Sequence, residues 1–113
     1  MDSKTIYLAY TTPDMEALRE ELMFTLFKAG FKVLPMGDPD SNDDVLKNKI
    51  ANDLAQCKSS IHLIGAEYGR TMTSEAGMSL AKYQYIKAKE SLQKGNNFRI
   101  FVWHPETGKQ ISD

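Results

Sequence analysis

One acidic residue, Glu75, stands where a carboxylate could act on a bound ligand. It follows an apolar run at residues 59–64, which is bounded by Gly65 and predicts a buried strand. A loop then leads to a predicted helix, and Glu75 falls in the first turn of that helix. In open α/β sheets, ligands bind beyond the carboxyl ends of the strands, where such loops gather. We therefore expect Glu75 to lie in that crevice.

The residues around this acid have side chains suited to a ring, a sugar and a phosphate. The candidate substrate-binding residues are Tyr10, Thr11, Thr12, Gly65, Tyr68 and Ser74. The tyrosines can stack on a flat ring, the hydroxyls can bind a sugar, and the glycine allows close backbone approach. The N-terminus of the helix suits a phosphate. Each residue also has a simpler role, since loop glycines turn, tyrosines fill space, threonines cap helices and first-turn glutamates favour the helix dipole.

An alternation of strands and helices places these loops. Strands are predicted at residues 5–10, 31–35, 59–64 and 98–103, and helices between them near 13–29, 43–54 and 74–92. This β-α-β-α-β-α-β order implies a parallel sheet with helices on both faces, and right-handed crossovers leave few topologies. We predict an α/β, flavodoxin-like three-layer fold with strand order 2-1-3-4. That order puts the switch point between the first and third strands, where loops 10–14 and 65–75 meet.

Apolar residues three or four apart predict the buried face of each helix. The three stripes are Met15, Leu18, Leu22, Leu26 and Ala29; Leu46, Ile50 and Leu54; and Met78, Ala81, Tyr85, Ala88 and Leu92. Thr12 is the expected cap of the first helix, and Asp43 or Asp44 that of the second. Glu75 sits three residues before Met78, at the edge of the third stripe, so its side chain is expected to lean inward.

The composition limits the classes of function. A length of 113 residues suits one domain over 1–113, and 14 basic against 15 acidic residues give a net charge of −1. That balance gives no electrostatic case for nucleic acid or an anionic membrane. No apolar run approaches the ~20 residues that span a bilayer, and no cluster has metal-ligand spacing. A single cysteine, Cys57, and the lack of a signal-peptide pattern predict a cytoplasmic location.

Several motifs together resemble bacterial TIR-like domains, of the type found in anti-phage and STAND-type proteins. The likeness covers nearly the whole chain and is carried by residues 5–14, residues 57–65, Tyr68-Gly69 and Tyr83-Gln84. It implies the same flavodoxin-like fold, with a further strand and helix beyond Trp103. A doubly wound domain also usually covers its last strand with a helix, so we expect residues 1–113 to be a truncated TIR-like domain of a longer protein.

The resemblance also implies an activity. Such domains, when they are enzymes, cleave the nicotinamide–ribose bond of NAD, which is substrate and not cofactor, upon self-association through TIR surfaces. A glutamate on the third helix carries that chemistry, because cleavage builds positive charge on the ribose that a carboxylate can stabilise or capture. The resemblance puts this acid around Lys82 or Tyr83, and neither is acidic here. The nearest acid on the inward stripe is Glu75, which becomes the candidate catalytic residue.

Three hypotheses therefore stay open. The first is a defence effector domain that hydrolyses NAD, with fused or partner effector domains. The second is a non-catalytic module that signals by TIR–TIR packing, in which the acidic loop 36–44 contacts a basic partner. The third is a nucleoside deoxyribosyltransferase-like enzyme, because residues 73–81 resemble a segment of those enzymes, which also use a glutamate against an N-glycosidic bond.

Overall fold

The computed structural model describes residues 4–94 and 97–104. The elements in these ranges are β1 (Thr5–Leu8), α1 (Glu16–Lys28), β2 (Lys32–Leu34), α2 (Asp43–Ala55), β3 (Ser59–Leu63), β4 (Thr71–Met72), β5 (Met78–Ser79), α3 (Leu80–Gln93) and β6 (Arg99–Trp103). Short 3₁₀ turns occupy Pro13–Met15 and Thr73–Glu75. The two ends of the chain, residues 1–3 and 105–113, lie outside the described ranges. Where the structure describes helices, they are too short or too polar to cross a bilayer.

The main sheet has four strands, all parallel, in the order β2-β1-β3-β6. The predicted α/β class and the predicted 2-1-3-4 order, with β6 as the fourth main strand, are confirmed. All four residues of β1 are buried, as expected for a central strand covered on both faces. The register pairs Tyr7 with Leu34 on one side and with Ser60 on the other, so these three side chains share a face.

The face that carries Tyr7 is covered by α2 and α3 and holds the larger core. The predicted stripe of α2 is confirmed, because Leu46, Ile50 and Leu54 are all buried there. The opposite face of the sheet is covered by α1. Of the stripe predicted for that helix, Met15 is buried, but Leu18, Leu22 and Leu26 are only half-buried and Ala29 is exposed.

Two helix caps differ from the predictions. Asn42, rather than Asp43 or Asp44, caps α2, since its side-chain oxygen accepts the N–H of Val45 at 3.0 Å. Thr12 precedes the 3₁₀ turn rather than α1 itself, and its hydroxyl donates to the carboxylate of Asp14 instead of capping a backbone N–H. For Thr12, the carboxylate of Asp14 is a competing partner that spacing alone does not reveal.

The third helix begins at Leu80, so the predicted start near Ser74 is wrong. Residues 71–79 instead form a hairpin of β4 and β5 around the 3₁₀ turn. Ala76 and Gly77 have φ of 57° and 81°, and a right-handed helix cannot continue through two left-handed residues. The buried face of α3 is correspondingly shifted from the predicted stripe: it consists of Leu80, Tyr83, Gln84 and Ala88.

Candidate functional site

The loops that follow β1 and β3 meet, as predicted from the strand order. Asp14 Oδ2 accepts the N–H of Ala66 at 2.9 Å, and Glu67 Oε1 accepts the N–H of Asp14 at 3.3 Å. The hydrogen bond from the Thr12 hydroxyl is the main cause that holds the pKa of Asp14 below its usual value, and the Ala66 N–H acts in the same direction. The carboxylate of Asp14 therefore joins the two loops in its charged form.

Gly65 is required where these loops meet. A Cβ at this position would collide with the Asp14 carboxylate and would lie 2.6 Å from Cγ of Met15, which is buried. The second residue beyond β3 therefore has to be glycine for the 3₁₀ turn at Pro13–Met15 to pack closely against it.

A cleft of about 550 Å³ opens beyond the carboxyl ends of β3 and β6, and we call it the β3–β6 cleft. Its lining residues are Ile64, Gly65, Ala66, Glu67, Tyr68, Ser79, Ala81, Lys82, Tyr85, Val102 and His104. The loop after β3 supplies one wall, the start of α3 a second, and the end of β6 a third. A cavity of this size is in the range of small-molecule and cofactor sites, and its place beyond the strand ends is where open α/β sheets bind ligands.

Two aromatic rings stand in this cleft. Tyr68 is 62% exposed, and its hydroxyl donates to the carbonyl of Gly77 at 3.3 Å. Tyr85 is half-buried and meets the ring of His62 edge to face, with centroids 5.6 Å apart and an interplanar angle of 89°. His62 is itself fixed, because its Nε2 lies 2.8 Å from Oγ of Ser60. The ring of Tyr85 is therefore supported by His62 from the core, whereas Tyr68 stands on the loop after β3.

The charged groups of the cleft come from different elements. Among the described residues that line it, Glu67 is the carboxylate, Lys82 the ammonium and His104 the imidazole. Lys82 lies in the first turn of α3, whose cap, Ser79, accepts the N–H of Lys82 at 3.1 Å. A cation at the positive end of a helix favours an anionic group on the ligand. The arrangement can hold a flat ring against tyrosine and an anion against Lys82.

Two of the predicted substrate-binding residues, Gly65 and Tyr68, line the cleft. Thr12 is buried where the loops meet, and a Cβ on Gly69 would lie 2.6 Å from its methyl group. Thr11 is half-buried beside it, and its hydroxyl donates to Glu16 at 3.2 Å. Neither threonine lines the cleft.

The other two predicted binding residues lie in different surroundings. Tyr10 is 6% exposed and belongs to the core, where Gln84 binds its backbone N–H and carbonyl at 2.9 and 3.0 Å. Burial raises the pKa of its hydroxyl, which has no hydrogen-bond partner in the described part of the chain. Ser74 lies on the hairpin, where its N–H donates to Asp43 at 3.3 Å. The structure therefore does not bring all six residues to one cavity.

Glu75 does not occupy the first turn of the third helix, which corrects the prediction of its position. It ends the 3₁₀ turn of the hairpin, and its Oε2 lies 2.9 Å from Nζ of Lys47 on α2. The hydrogen bond to Glu75 raises the pKa of Lys47. Glu75 is not part of the lining of the β3–β6 cleft. The prediction that its side chain leans inward assumed a helix that begins near Ser74. The left-handed conformations of Ala76 and Gly77 exclude that helix.

Sequence reasoning assigned no binding or structural role to the side chains of three residues that the structure makes prominent. Glu67 and Lys82 line the cleft, whereas in the sequence Glu67 is a loop acid without an assigned role and Lys82 stands only where the resemblance expects an acid. Gln84 is fully buried, with its amide bound to Tyr7 and Tyr10. The signal available for Glu67 was its place four residues beyond β3. A polar residue in the middle of a helix gives no comparable signal.

The strand order and the cleft beyond β3 and β6 define the class: a flavodoxin-like α/β domain with a ligand-sized cleft at the carboxyl edge of its sheet. The chain belongs to the family described as Domain of unknown function (DUF4062), whose model matches residues 5–111. Comparisons with curated proteins and with solved structures give no match. Within residues 4–94 and 97–104, no three carboxylate, imidazole or thiol groups come together as a metal site would require.

Proposed function

We propose that this domain is a TIR-like signalling domain that binds an NAD-class nucleotide in the β3–β6 cleft and cleaves its nicotinamide–ribose bond when copies of a larger protein assemble. The observation that carries the proposal is the cleft itself. A single cavity of about 550 Å³ beyond the sheet combines one carboxylate, one ammonium and two tyrosine rings. These are the groups needed for a nucleotide: rings for the bases and a cation for the phosphates.

The chemistry asks for one carboxylate close to the ribose. Nicotinamide is attached through a positively charged ring nitrogen, so it leaves as a neutral molecule and needs no proton from an acid. What develops is positive charge on the ribose, and a carboxylate stabilises that charge or captures the sugar covalently. Water then attacks the anomeric carbon, giving ADP-ribose and a proton. The sugar must therefore lie within reach of an acidic side chain in the cleft.

The proposal assigns this role to Glu67. Glu67 lines the cleft beside Tyr68, whereas Glu75 is paired with Lys47 of α2 and is not among the lining residues. Lys82 would bind the pyrophosphate, and Tyr85 would support a ring. The original candidate, Glu75, remains the competing assignment, and the same experiment separates the two.

The experiment measures nicotinamide release from NAD by chromatography, with the protein concentrated enough to self-associate. Glu67→Gln is the test variant and Glu75→Gln the matched control, since each replaces a carboxylate by an amide of the same shape. We expect Glu67→Gln to reduce kcat about 100-fold or more and to leave NAD binding within about threefold, as for loss of a charge-stabilising group. Glu75→Gln should leave kcat within about twofold. Loss of activity in Glu75→Gln alone would reverse the assignment.

A non-catalytic interaction module is the second candidate, and one observation favours it. The TIR resemblance expects an acid around Lys82 or Tyr83, neither of which is acidic, and the nearby Gln84 is held in the core by Tyr7 and Tyr10. Glu90 is the single acid of α3, and it is paired with Lys87 at 3.4 Å near the other end of that helix. Chemical-shift changes at Tyr68 and Tyr85 on adding NAD, without nicotinamide release, would select this alternative.

The proposal includes a cytoplasmic location, where NAD is available to the domain. Cys57 is consistent with a reducing compartment: it is buried, and its thiol donates to the carbonyl of Asp53 at 3.1 Å. Burial raises the pKa of this thiol to about 12. The third hypothesis, base exchange on deoxynucleosides, is tested in the same assay by supplying a deoxynucleoside and a second free base.

A further inference from the structure

We infer that α1 carries a self-complementary surface through which two copies of this chain pair antiparallel, about a two-fold axis at Phe24. We call this surface the α1 face and define it as Glu20, Phe24, Phe27 and Lys28. The inference goes beyond the cleft and does not rest on its chemistry. It names a place for the self-association that the proposed function invokes only in general terms.

The α1 face exposes large apolar side chains. Phe24 is 62% exposed and Phe27 is 70% exposed, and Met36, across the adjoining groove, is 68% exposed. The groove itself, between α1 and the outer edge of β2, has a volume of about 790 Å³. Isolated apolar residues are common on protein surfaces, but a contiguous set beside a groove marks an interaction site.

Helical spacing places the members of this face together. Glu20, Phe24 and Phe27 follow one another at intervals of four and three residues, and all three line the groove. The ammonium of Lys28 lies 5.0 Å from the centroid of the Phe24 ring, so Lys28 stands on the same side. The face therefore has an acid at one end, aromatic rings in the middle and a base at the other end.

The spacing of these charges indicates a second copy of the chain as the occupant. Glu20 and Lys28 lie four residues to either side of Phe24, which is about 6 Å along the helix axis in each direction. When two such helices pair antiparallel with Phe24 on the axis, each Glu20 stands opposite Lys28 of the second copy. The symmetry makes this ion pair twice, and the two Phe24 rings meet at the centre.

The order of the charges along α1 also points to a second copy of the chain. Because Glu20 and Lys28 lie at opposite ends of the α1 face, the charges favour an antiparallel pairing of two copies. A purely apolar partner would not require this charge order.

The experiment is sedimentation velocity over a concentration range of about 1 µM to 1 mM, without NAD. Wild-type protein should form dimers, and Phe24→Ser should weaken dimerisation about tenfold or more. Leu92→Ser is the matched control, because Leu92 is an exposed leucine on α3, 45% accessible; it should leave the dimer unchanged. Glu20→Lys and Lys28→Glu should each remain monomeric, since either change opposes like charges twice in the dimer.

Mixing these two charge variants gives the decisive result. A dimer of one Glu20→Lys chain with one Lys28→Glu chain contains two attractive pairs, so the mixture should form a one-to-one heterodimer. A wild-type chain that stays monomeric throughout would overturn the inference. Dimers unaffected by Phe24→Ser, or charge variants that fail to associate when mixed, would do so too. Nicotinamide release is measured separately, so failure of the cleft proposal is distinguishable from failure of this one.

Discussion

Gln84 Oε1 accepts the hydroxyl hydrogen of Tyr7 at 2.7 Å, across the interface between α3 and β1. The same oxygen accepts the N–H of Tyr10 at 2.9 Å. The amide nitrogen donates to the carbonyls of Tyr10 and Leu80 at 3.0 and 3.3 Å. A single side chain thus satisfies the backbone just beyond β1 and a buried phenol, and it fixes α3 against the centre of the sheet.

Gln84→Leu should destabilise the fold by about 2 to 4 kcal/mol, because leucine leaves the Tyr7 hydroxyl and the Tyr10 backbone groups without partners in the core. Urea unfolding followed by circular dichroism measures the loss. Tyr7→Phe removes only the hydroxyl and should cost about 1 kcal/mol. The double variant should cost less than the sum, since Tyr7 and Gln84 share a hydrogen bond; strict additivity would contradict this account.

Gln84→Glu should also destabilise the fold, although its shape is conserved. The carboxylate would keep its two donors, Tyr7 and the N–H of Tyr10, but would turn an oxygen toward the carbonyls of Tyr10 and Leu80. Ionisation inside the core is then opposed by burial and by two carbonyl dipoles, so the acid should be retained in its protonated form. Stability that falls as pH rises from 5 to 8 in this variant, relative to the wild type, would confirm the effect.

His62 should make the free energy of unfolding depend on pH below neutrality. The ring is 1% exposed, and burial lowers its pKa to about 4, so the folded state excludes the proton over a range in which the unfolded chain accepts it. Unfolded histidine titrates near 6.5, and stability should therefore decline as pH falls from about 6.5 to about 4, by up to about 3 kcal/mol. His62→Gln should flatten this part of the Tm profile between pH 4.5 and 7.

Gly65→Ala should destabilise the fold by about 1 to 3 kcal/mol through overpacking, because the new methyl meets Asp14 and Met15. Gly77→Ala offers a contrast. A Cβ there meets nothing within 4 Å, but the φ of 81° disfavours any side chain, so about 1 kcal/mol should be lost by strain alone. Thermal unfolding ranks the two variants, and hydrogen exchange at Ala66 should accelerate only in Gly65→Ala, where the Asp14 contact is displaced.

Arg70 ties the acidic loop 36–44 to the hairpin. Its guanidinium donates to the carbonyls of Asp40 and Ser41 at 2.6 and 3.2 Å and to the Asp43 carboxylate at 2.9 Å. This bond is the main cause that lowers the pKa of Asp43. Arg70→Lys keeps the charge but cannot reach all three acceptors. Amide exchange in residues 40–43 should rise about tenfold, with α1 as the internal reference; an unchanged rate would contradict the role of Arg70.

The order of the main strands was predictable because each strand is a short run of β-forming residues separated by a helical pattern. Parallel pairing and right-handed crossovers then restrict the topology. The meeting of the loops after β1 and β3 followed from that order, and with it the presence of Gly65 and Tyr68 at the carboxyl edge. These inferences use only local patterns and general rules of chain connection.

The surroundings of Glu75 could not be predicted in this way. The spacing of Met78, Ala81 and Tyr85 fits a helix that continues upstream, and nothing in that spacing shows that Ala76 adopts a left-handed conformation. The partner of Glu75, Lys47, lies 28 residues earlier in the sequence. The contacts of Gln84 span up to 77 residues. Contacts between polar groups that are distant in sequence depend on how the layers of the fold pack together. For this reason the sequence could not show that Glu67, rather than Glu75, lines the cleft.

The burial of Cys57 has a practical consequence, because this residue carries the sole sulfhydryl of the 113-residue chain. Alkylating reagents attack thiolates, and a shielded thiol whose pKa burial raises to about 12 offers almost none. Chemical labelling at neutral pH should therefore proceed only through openings that separate α2 from the start of β3. The protein thus contains a built-in probe of local unfolding, which needs no engineered tag and can be followed by mass spectrometry.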